Sequence, residues 1–226
     1  MNLERLESQI GKENIEKLRT STILIIGLGG VGGYALESIV RSGIENLIIV
    51  DADIIESSNL NRQLISLHST IGMKKVDAFE KRILDINPKA KIKKIDKFIN
   101  EDNINILFEQ KIDYLIDACD TIPTKKLIIK ECIKKNIPMI SCMGMGRKLD
   151  ISKIKVQDIR NTSYDPIAKK IRKMVNEEKI KEKIMVVSST EQPITNTKKH
   201  ISSNSFVPAV AGINCASYII HLIIGG

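Results

Sequence analysis

The chain has 226 residues, of which 42% are hydrophobic and 27% charged, a balance typical of one well-packed soluble domain. Its formal net charge of +8 suits a polyanionic partner, while the shortage of aromatic residues argues against an extended base-stacking platform for single-stranded nucleic acid. The N-terminus lacks signal-peptide character and the four cysteines form no C-x-x-C pair. We therefore expect a cytoplasmic protein without a four-thiolate zinc site.

Apolar runs and helical patterns alternate along the first 146 residues. Candidate strands cover residues 22–26, 46–51, 91–96, 113–117 and 138–142. Candidate helices between and after them cover residues 31–42, 73–86, 103–109 and 123–135. This alternation predicts an α/β fold, a Rossmann-like doubly wound sheet that is parallel in its N-terminal part.

The pattern changes after residue 146. We expect further strands at 154–159 and 185–188, a basic amphipathic helix from residue 165 to about 175, and a polar loop over 190–204. The apolar segment 206–224 contains four residues that interrupt a membrane-spanning pattern, which favours a buried closing helix that begins at Pro208 over membrane insertion. Association with a membrane surface is the alternative. We treat 1–226 as one domain, with a nucleotide-binding part (1–146) and a substrate-side extension (147–226).

A glycine-rich loop joins the first predicted strand to the first predicted helix. Its spacing matches a dinucleotide-binding fingerprint that contains Gly27, Gly29, Gly30 and Gly32. Glycines allow positive φ and close approach of the backbone to a phosphate, and the N–H groups of the following helix face an anion. Asp51 ends the next strand, where a ribose-binding acid is expected, and Asp53 follows it. The alternative is a tight strand–helix turn without a ligand, which the register of strand, helix and acid disfavours.

Polar residues after the second strand indicate more than dinucleotide binding. A triphosphate requires cations, and Arg62 and Lys74 supply two of them. Neutral donors accompany these cations at Asn59, Asn61 and Gln63. Asp120 follows the fourth strand, at the sheet edge where open α/β folds bind ligands, and could hold Mg²⁺ against phosphate oxygens. A single aspartate there could equally cap the next helix.

Two segments concentrate the positive charge. Residues 89–97 hold five lysines against one aspartate, and residues 169–183 hold seven lysines or arginines against three glutamates. Each segment fits a polyanionic partner, and a solvated helix or strand face is the alternative for both.

Together these motifs resemble the ubiquitin-activating-enzyme-like adenylyltransferases of the ThiF, MoeB and HesA type. The resemblance rests on the glycine loop and on residues 51–53, 59–63, 72–74 and 117–120. Further segments are similar to the tRNA threonylcarbamoyladenosine dehydratase branch of that family, at residues 61–63, 86–88, 114–118, 136–138, 165–168 and 205–212.

The resemblance implies an ATP-dependent adenylating cyclodehydratase. ATP would bind at the glycine loop with Asp51 and Asp53 near its ribose, and Asp120 would hold Mg²⁺. Arg62 and Lys74 would neutralise the phosphates while a carboxylate of modified tRNA attacks the α-phosphate, and the acyl-adenylate would then close to a cyclic product.

Arg5 matches a family arginine that reaches the ATP of the partner subunit, which implies a catalytic homodimer. A solvated helix residue is the alternative for Arg5. The resemblance also leaves room for a monovalent cation near the site and for a cysteine desulfurase or sulfur-acceptor system as a partner.

Two other functions stay open at the level of sequence. One is an adenylyltransferase of a ubiquitin-like sulfur-carrier C-terminus, although such enzymes commonly have two zinc-binding C-x-x-C pairs that this chain lacks. The other is an NAD(P)-dependent oxidoreductase, which would not need Arg62.

Overall fold

The computed structural model describes residues 1–194 and 202–225. Its α-helices are α1 (Glu4–Ile10), α2 (Lys12–Thr20), α3 (Gly32–Arg41), α4 (Lys75–Ile86), α5 (Ile122–Lys135), α6 (Pro166–Glu177) and α7 (Phe206–Ile224). Its strands are β1 (Thr22–Ile26), β2 (Asn46–Val50), β3 (Lys91–Ile95), β4 (Tyr114–Asp117), β5 (Met139–Cys142), β6 (Ile154–Asp158) and β7 (Met185–Ser189).

The seven strands form one sheet in the order β3-β2-β1-β4-β5-β7-β6. Neighbouring strands are parallel except for β6, which pairs antiparallel with β7. The predicted doubly wound α/β fold, with C-terminal strands and a closing helix, is therefore confirmed. The strand order reverses between β1 and β4, and in open α/β sheets that reversal opens a ligand crevice at the carboxyl ends of the strands.

Helices cover both faces of the sheet because the central strands are apolar on both sides. In β1, Ile23 and Ile25 pack into one core with α2, α3, α4 and α7, whereas Leu24 and Ile26 pack into a second core with α5. Such alternation follows from the two-residue period of a strand. A third cluster joins α5 and α6 to β7. The layered core holds the carboxyl ends of β1, β2, β4 and β5 at one rigid edge.

The closing helix α7 packs along the first of these cores. Val207, Ala211, Cys215 and Ile219 are buried at four-residue spacing, which places them on one face of the helix. By length and mean hydropathy of 1.8, α7 could also cross a membrane. The helix begins at Phe206, two residues before the predicted start, and Pro208 lies in its first turn, where a proline removes no intrahelical hydrogen bond.

The structure differs from the prediction at three short segments. The predicted helix over 103–109 is a 3₁₀ segment, Ile104–Phe108, and helices α1 and α2 were not predicted. Helix α2 is short and its buried residues are Ile15 and Leu18, so the helical periodicity of its apolar residues is weak in the sequence. Of the predicted loop over 190–204, residues 195–201 lie outside the described residues, and the remainder has no helix or strand.

Candidate functional site

A cavity of about 790 Å³ opens at the carboxyl edge of the sheet. The loops after β1, β2, β4 and β5 line it, together with residues that follow β3 and the starts of α6 and α7. Its volume lies in the range of small-molecule and cofactor sites. The strand order places the glycine loop of β1 at the middle of this cavity, with the β2 and β3 loops on one side and the β4 and β5 loops on the other.

The glycine loop is built for close backbone approach. Gly27 has a φ of +84°, and a Cβ there would lie 2.8 Å from the carbonyl oxygen of Ala118. A Cβ on Gly32 would clash with the carbonyl oxygen of Gly27. Gly29 and Gly30 line the cavity directly. No side chain caps the start of α3. The N–H of Gly33 donates to the carbonyl oxygen of Gly29 at 3.0 Å, so an anion in the cavity would be received by other N–H groups of the loop and first turn.

Asp51 holds this loop against the end of β2. Its Oδ2 accepts a hydrogen bond from the backbone N–H of Leu28 at 2.6 Å, and its Oδ1 accepts one from the N–H of Asp53 at 2.8 Å. Burial raises the pKa of Asp51, against the opposing effect of the Lys75 ammonium 3.6 Å away. Both predicted ribose acids, Asp51 and Asp53, line the cavity.

The lysine that the structure brings into the cavity is Lys75, whereas the sequence analysis selected Lys74. Lys75 is 4% exposed, and its Nζ donates to Asp53 Oδ2 at 2.6 Å. Lys74 does not line the cavity; its exposed side chain pairs with Asp96. The reason is helical geometry, because Lys75 shares the buried face of α4 with Phe79 and Ile83 at i+4 and i+8.

The polar turn after β2 presents Arg62 at the cavity. The Arg62 guanidinium donates to the carbonyl oxygen of Ser58 and to Asn61 Oδ1, both at 2.8 Å. Asn61 does not line the cavity; its amide donates to the carbonyl oxygen of Ser203 at 3.2 Å. Asn61 thus orients Arg62 and ties this turn to the segment before α7.

The remaining predicted donors, Asn59 and Gln63, both line the cavity and are 8% exposed. Asn59 Oδ1 accepts from the backbone N–H of Glu56 at 3.1 Å and so closes the turn. Gln63 Oε1 is buried without a hydrogen-bond partner among the described residues. A buried acceptor without a partner is costly, so Gln63 is suited to accept a hydrogen bond from a ligand.

Asp120 lines the cavity as an exposed carboxylate. The N-cap of α5 is Thr121, with no side-chain capping bond, so the capping interpretation of Asp120 does not hold. Within residues 1–194 and 202–225, no cluster of three His, Cys, Asp or Glu side chains could hold a metal ion alone. A single carboxylate does fit Mg²⁺ that takes its other ligands from phosphate oxygens and water.

A buried charge network lies behind the β4 end of the cavity. Lys125 Nζ donates to Asp117 Oδ2 at 2.7 Å and to Ser141 Oγ at 3.1 Å, and the Ser141 hydroxyl donates to Asp117 at 2.6 Å. Burial alone would lower the pKa of Lys125, but the facing Asp117 carboxylate raises it overall. The network joins β4, α5 and β5, and it was missed in the sequence analysis.

Cys119 also lines the cavity, but its environment does not favour a nucleophilic thiolate. Burial, followed by the neighbouring Asp117 carboxylate, raises the pKa of the Cys119 thiol well above its ordinary value. Cys132, Cys142 and Cys215 are buried in the core. The thiol of Cys119 is therefore protonated at neutral pH.

The other end of the cavity is formed by the loop after β5 and by the start of α6. Gly144, Met145 and Gly146 line it, with Ile167 on α6. Lys148 Nζ, which is buried, donates to the carbonyl oxygen of Gly144 at 2.8 Å. Arg5 is not among the lining residues, since it lies on the exposed surface of α1.

The family model for ThiF matches residues 3–226. The chain belongs to the ThiF family. A tRNA threonylcarbamoyladenosine dehydratase of Bacillus subtilis is 40% identical to this chain, over 96% of this chain and 92% of that relative. The dehydratase of Haemophilus influenzae is 34% identical over 78% of this chain and 69% of its own length.

Solved structures carry the same ThiF-family fold. The Escherichia coli tRNA N6-threonylcarbamoyladenosine dehydratase TcdA in complex with AMP superposes with a TM-score of 0.93, at 27% identity, and covers 98% of this chain and 93% of that one. The same enzyme in complex with ATP gives a TM-score of 0.93 at 27% identity, with 99% of this chain and 93% of that one covered.

The structure adds two lysines that the sequence analysis missed: Lys75 lines the cavity, and Lys125 lies in the charge network behind it. Both carried the same signal in the sequence. Each lies on the apolar face of its helix, Lys75 with Phe79 and Ile83, and Lys125 with Ile128 and Cys132. A lysine within an apolar stripe is buried only when a carboxylate or a ligand receives it, so this position indicates a site.

Proposed function

We propose that this protein is an ATP-dependent tRNA threonylcarbamoyladenosine dehydratase. The cavity carries the proposal, because it brings the uncapped start of α3, Arg62, Lys75 and Asp120 together at one sheet edge in a chain that is 40% identical to such a dehydratase over almost its whole length. We further propose a nucleotide-binding part over 1–146, a substrate-side extension over 147–226, and a cytoplasmic setting.

The residues around the glycine loop would bind ATP. In a doubly wound sheet the nucleotide lies across the strand-order reversal, so the adenosine fits the side of β2 and β3, where Asp51, Asp53 and Phe98 line the cavity. Gly27, Gly29, Gly30 and Gly32 allow the phosphates to approach the backbone. The N–H groups of α3 and the buried acceptor Gln63 Oε1 complete the polar surroundings.

Arg62 and Lys75 would stabilise the charge that develops as the substrate carboxylate attacks the α-phosphate and the bond to pyrophosphate breaks. Asn59 and Asn61 hold the turn and the guanidinium in position. Asp120 would hold Mg²⁺, which supplies additional charge neutralisation at the phosphate oxygens when bound. Such catalysis is positioning and electrostatics, to which a rigid sheet edge is well suited.

The threonyl carboxylate would enter from the side of β5 and α6. Gly144 and Gly146 line the cavity there, and a Cβ on Gly144 would lie 3.1 Å from Asp165 Oδ2, so this position has little room for a side chain. The acyl-adenylate would then be attacked intramolecularly, which closes the ring and releases AMP. The high pKa of the Cys119 thiol supports a route without a cysteine thioester.

A homodimer would complete the site. Arg5 is exposed on α1, outside the cavity of its own chain, and is therefore available to reach the ATP of a second copy. A monovalent cation and a cysteine desulfurase or sulfur-acceptor system are further proposed partners, on the resemblance alone.

The decisive test compares two substrates under the same conditions. The protein is incubated with ATP and Mg²⁺ and either tRNA that carries threonylcarbamoyladenosine or a carrier protein with a Gly-Gly C-terminus. After digestion of the tRNA we expect the cyclised nucleoside. Mass spectrometry would detect it as a decrease of about 18 mass units in the modified nucleoside, the mass of the one water that is lost when adenylation drives the ring closure. Adenylation of the carrier protein without any cyclised tRNA would overturn the proposal.

A further inference from the structure

A cavity of about 790 Å³ is far smaller than a tRNA, so most of a bound tRNA would contact the outer surface of the protein. Helix α6 begins at the end of the cavity where the acyl substrate would enter. Ile167 lines the cavity, and the preceding Asp165 caps the helix by accepting from the N–H of Ala168 at 2.9 Å. A strand that delivers a nucleoside to this end would lie near the first turns of α6.

The rotation of α6 is set by its apolar face. Ala168, Ile171, Met174 and Val175 are buried in the cluster that joins α5 and α6 to β7. Arg172 is held on a flank, where its guanidinium donates to the carbonyl oxygen of Thr162 at 2.9 Å. The opposite face exposes three lysines, which we call the α6 surface: Lys169, Lys170 and Lys173.

The charge of the α6 surface is mostly not neutralised within the chain. Among the described residues, Lys169 and Lys170 form no ion pair with a carboxylate, and Lys173 has one loose, exposed pair with Glu177 at 3.5 Å. Lys173 lies six residues beyond Ile167, or about 9 Å along the helix axis. Three cations are thus presented within two turns of the acyl end of the cavity.

The second basic segment, residues 89–97 around β3, which we call the β3 segment, has a different environment. Lys93 pairs with Glu109 at 2.9 Å, and Lys94 pairs with Asp77 at 2.7 Å and with Glu80 at 2.6 Å. Strand β3 is an edge strand, separated from β5 by β2, β1 and β4. Two of the five lysines in this segment are therefore paired with carboxylates of the same chain. The segment also lies on the adenosine side of the cavity.

We propose that the α6 surface docks the phosphate backbone of the tRNA strand that carries the modified nucleoside, and that the β3 segment does not. The proposal rests on the proposed function. Lysines bound to phosphates release condensed counterions, so this contact supplies affinity that falls steeply with salt. It also fixes the register of the strand, because phosphate contacts position a nucleic acid while the cavity selects the nucleoside.

The test compares two charge reversals of equal size. Lys169→Glu/Lys170→Glu alters the α6 surface, and Lys89→Glu/Lys91→Glu alters two exposed lysines of the β3 segment, so both variants lose four units of charge. Binding of an unmodified tRNA transcript is measured by fluorescence anisotropy at several salt concentrations, which separates docking from chemistry. Unfolding midpoints and the Kd for ATP serve as controls for folding and for the cavity.

We expect the α6 variant to bind tRNA about tenfold more weakly, with a log–log salt slope reduced by about two, while the β3 variant stays within about twofold of wild type. Equal losses in both variants would show only an effect of net charge and would overturn the proposal, as would unchanged binding in the α6 variant. An acidic protein as the true occupant would also leave tRNA binding unchanged. Failure of the proposed function is distinguishable, because wild-type protein would then yield no cyclised product whatever its tRNA affinity.

Discussion

At the scale of single residues, the site depends on lysines placed where lysines are rarely found. Lys75 is 4% exposed and faces the carboxylates of Asp51 and Asp53. Its neighbour Lys74 has the same side chain, but pairs on the surface with Asp96. Lys74 is the extended N-cap of α4 and Lys75 is its first helical residue, so the two side chains point in different directions and only Lys75 faces the cavity.

This adjacency gives a matched pair of substitutions. Lys75→Met should lower kcat/KM for ATP by at least about a hundredfold, because it removes a preorganised charge from the cavity. Lys74→Met should change it by less than about threefold, since surface ion pairs contribute little. Steady-state rates of pyrophosphate release measure both, and a larger loss in Lys74→Met would reverse the assignment.

Asp120 gives a second prediction at this scale. Asp120→Asn should keep the fold, because the carboxylate makes no capping bond, and should raise the Mg²⁺ concentration needed for half-maximal activity by about tenfold or more. The control is Asp96→Asn, which alters an aspartate that does not line the cavity. An unchanged Mg²⁺ titration in Asp120→Asn would remove Asp120 from the metal site.

At the scale of elements, the buried network of Asp117, Lys125 and Ser141 connects β4, α5 and β5 behind the cavity. Buried ion pairs add little net stability compared with apolar groups of the same volume, but removal of one partner leaves a charge uncompensated. The network therefore orients β4 and β5 and, with them, the loops that carry Asp120 and Gly144.

Lys125→Met should lower the free energy of unfolding by about 3–5 kcal/mol, because Asp117 would stay buried without its counter-charge. Lys125→Met combined with Asp117→Leu should recover most of that loss. Urea unfolding followed by circular dichroism measures both. The exposed Lys134→Met on the same helix is the control, and equal effects of Lys125→Met and Lys134→Met would contradict the role of the network.

At the scale of the whole molecule, the proposed homodimer makes a prediction that a single chain cannot satisfy. If Arg5 serves the ATP site of the partner, Arg5→Ala and Arg62→Ala should each be inactive alone. A mixed dimer of the two has one intact site. Random exchange of equal amounts should therefore restore roughly a quarter of wild-type activity per subunit, by the statistics of pairing in a two-fold dimer.

The measurement is the rate of tRNA cyclisation after the two variants are mixed and allowed to exchange subunits. Each variant mixed with itself is the control. If Arg5 were only a solvated residue of α1, Arg5→Ala would be fully active by itself, and if it acted within its own chain, the mixture would stay inactive.

Much of this protein follows from local patterns in the sequence. Alternating apolar runs determine the strands, and the glycine spacing determines a loop in which Gly32 leaves no room for a side chain. The positions of Arg62 and Asp120 after β2 and β4 place them at one edge, because the carboxyl ends of parallel strands meet there. These features depend on neighbours in the chain and on the handedness of strand–helix–strand units, so they can be read without coordinates.

Other features were decided only by the tertiary structure. Three of them depend on which residues from distant parts of the chain meet. These are the position of Lys75 rather than Lys74 in the cavity, the burial of Lys125 against Asp117, and the different environments of the two basic segments. The physical reason is that burial and ion pairing are properties of three-dimensional packing. Lys74 is the extended N-cap of α4 and Lys75 is its first helical residue, so two identical neighbouring side chains enter different surroundings.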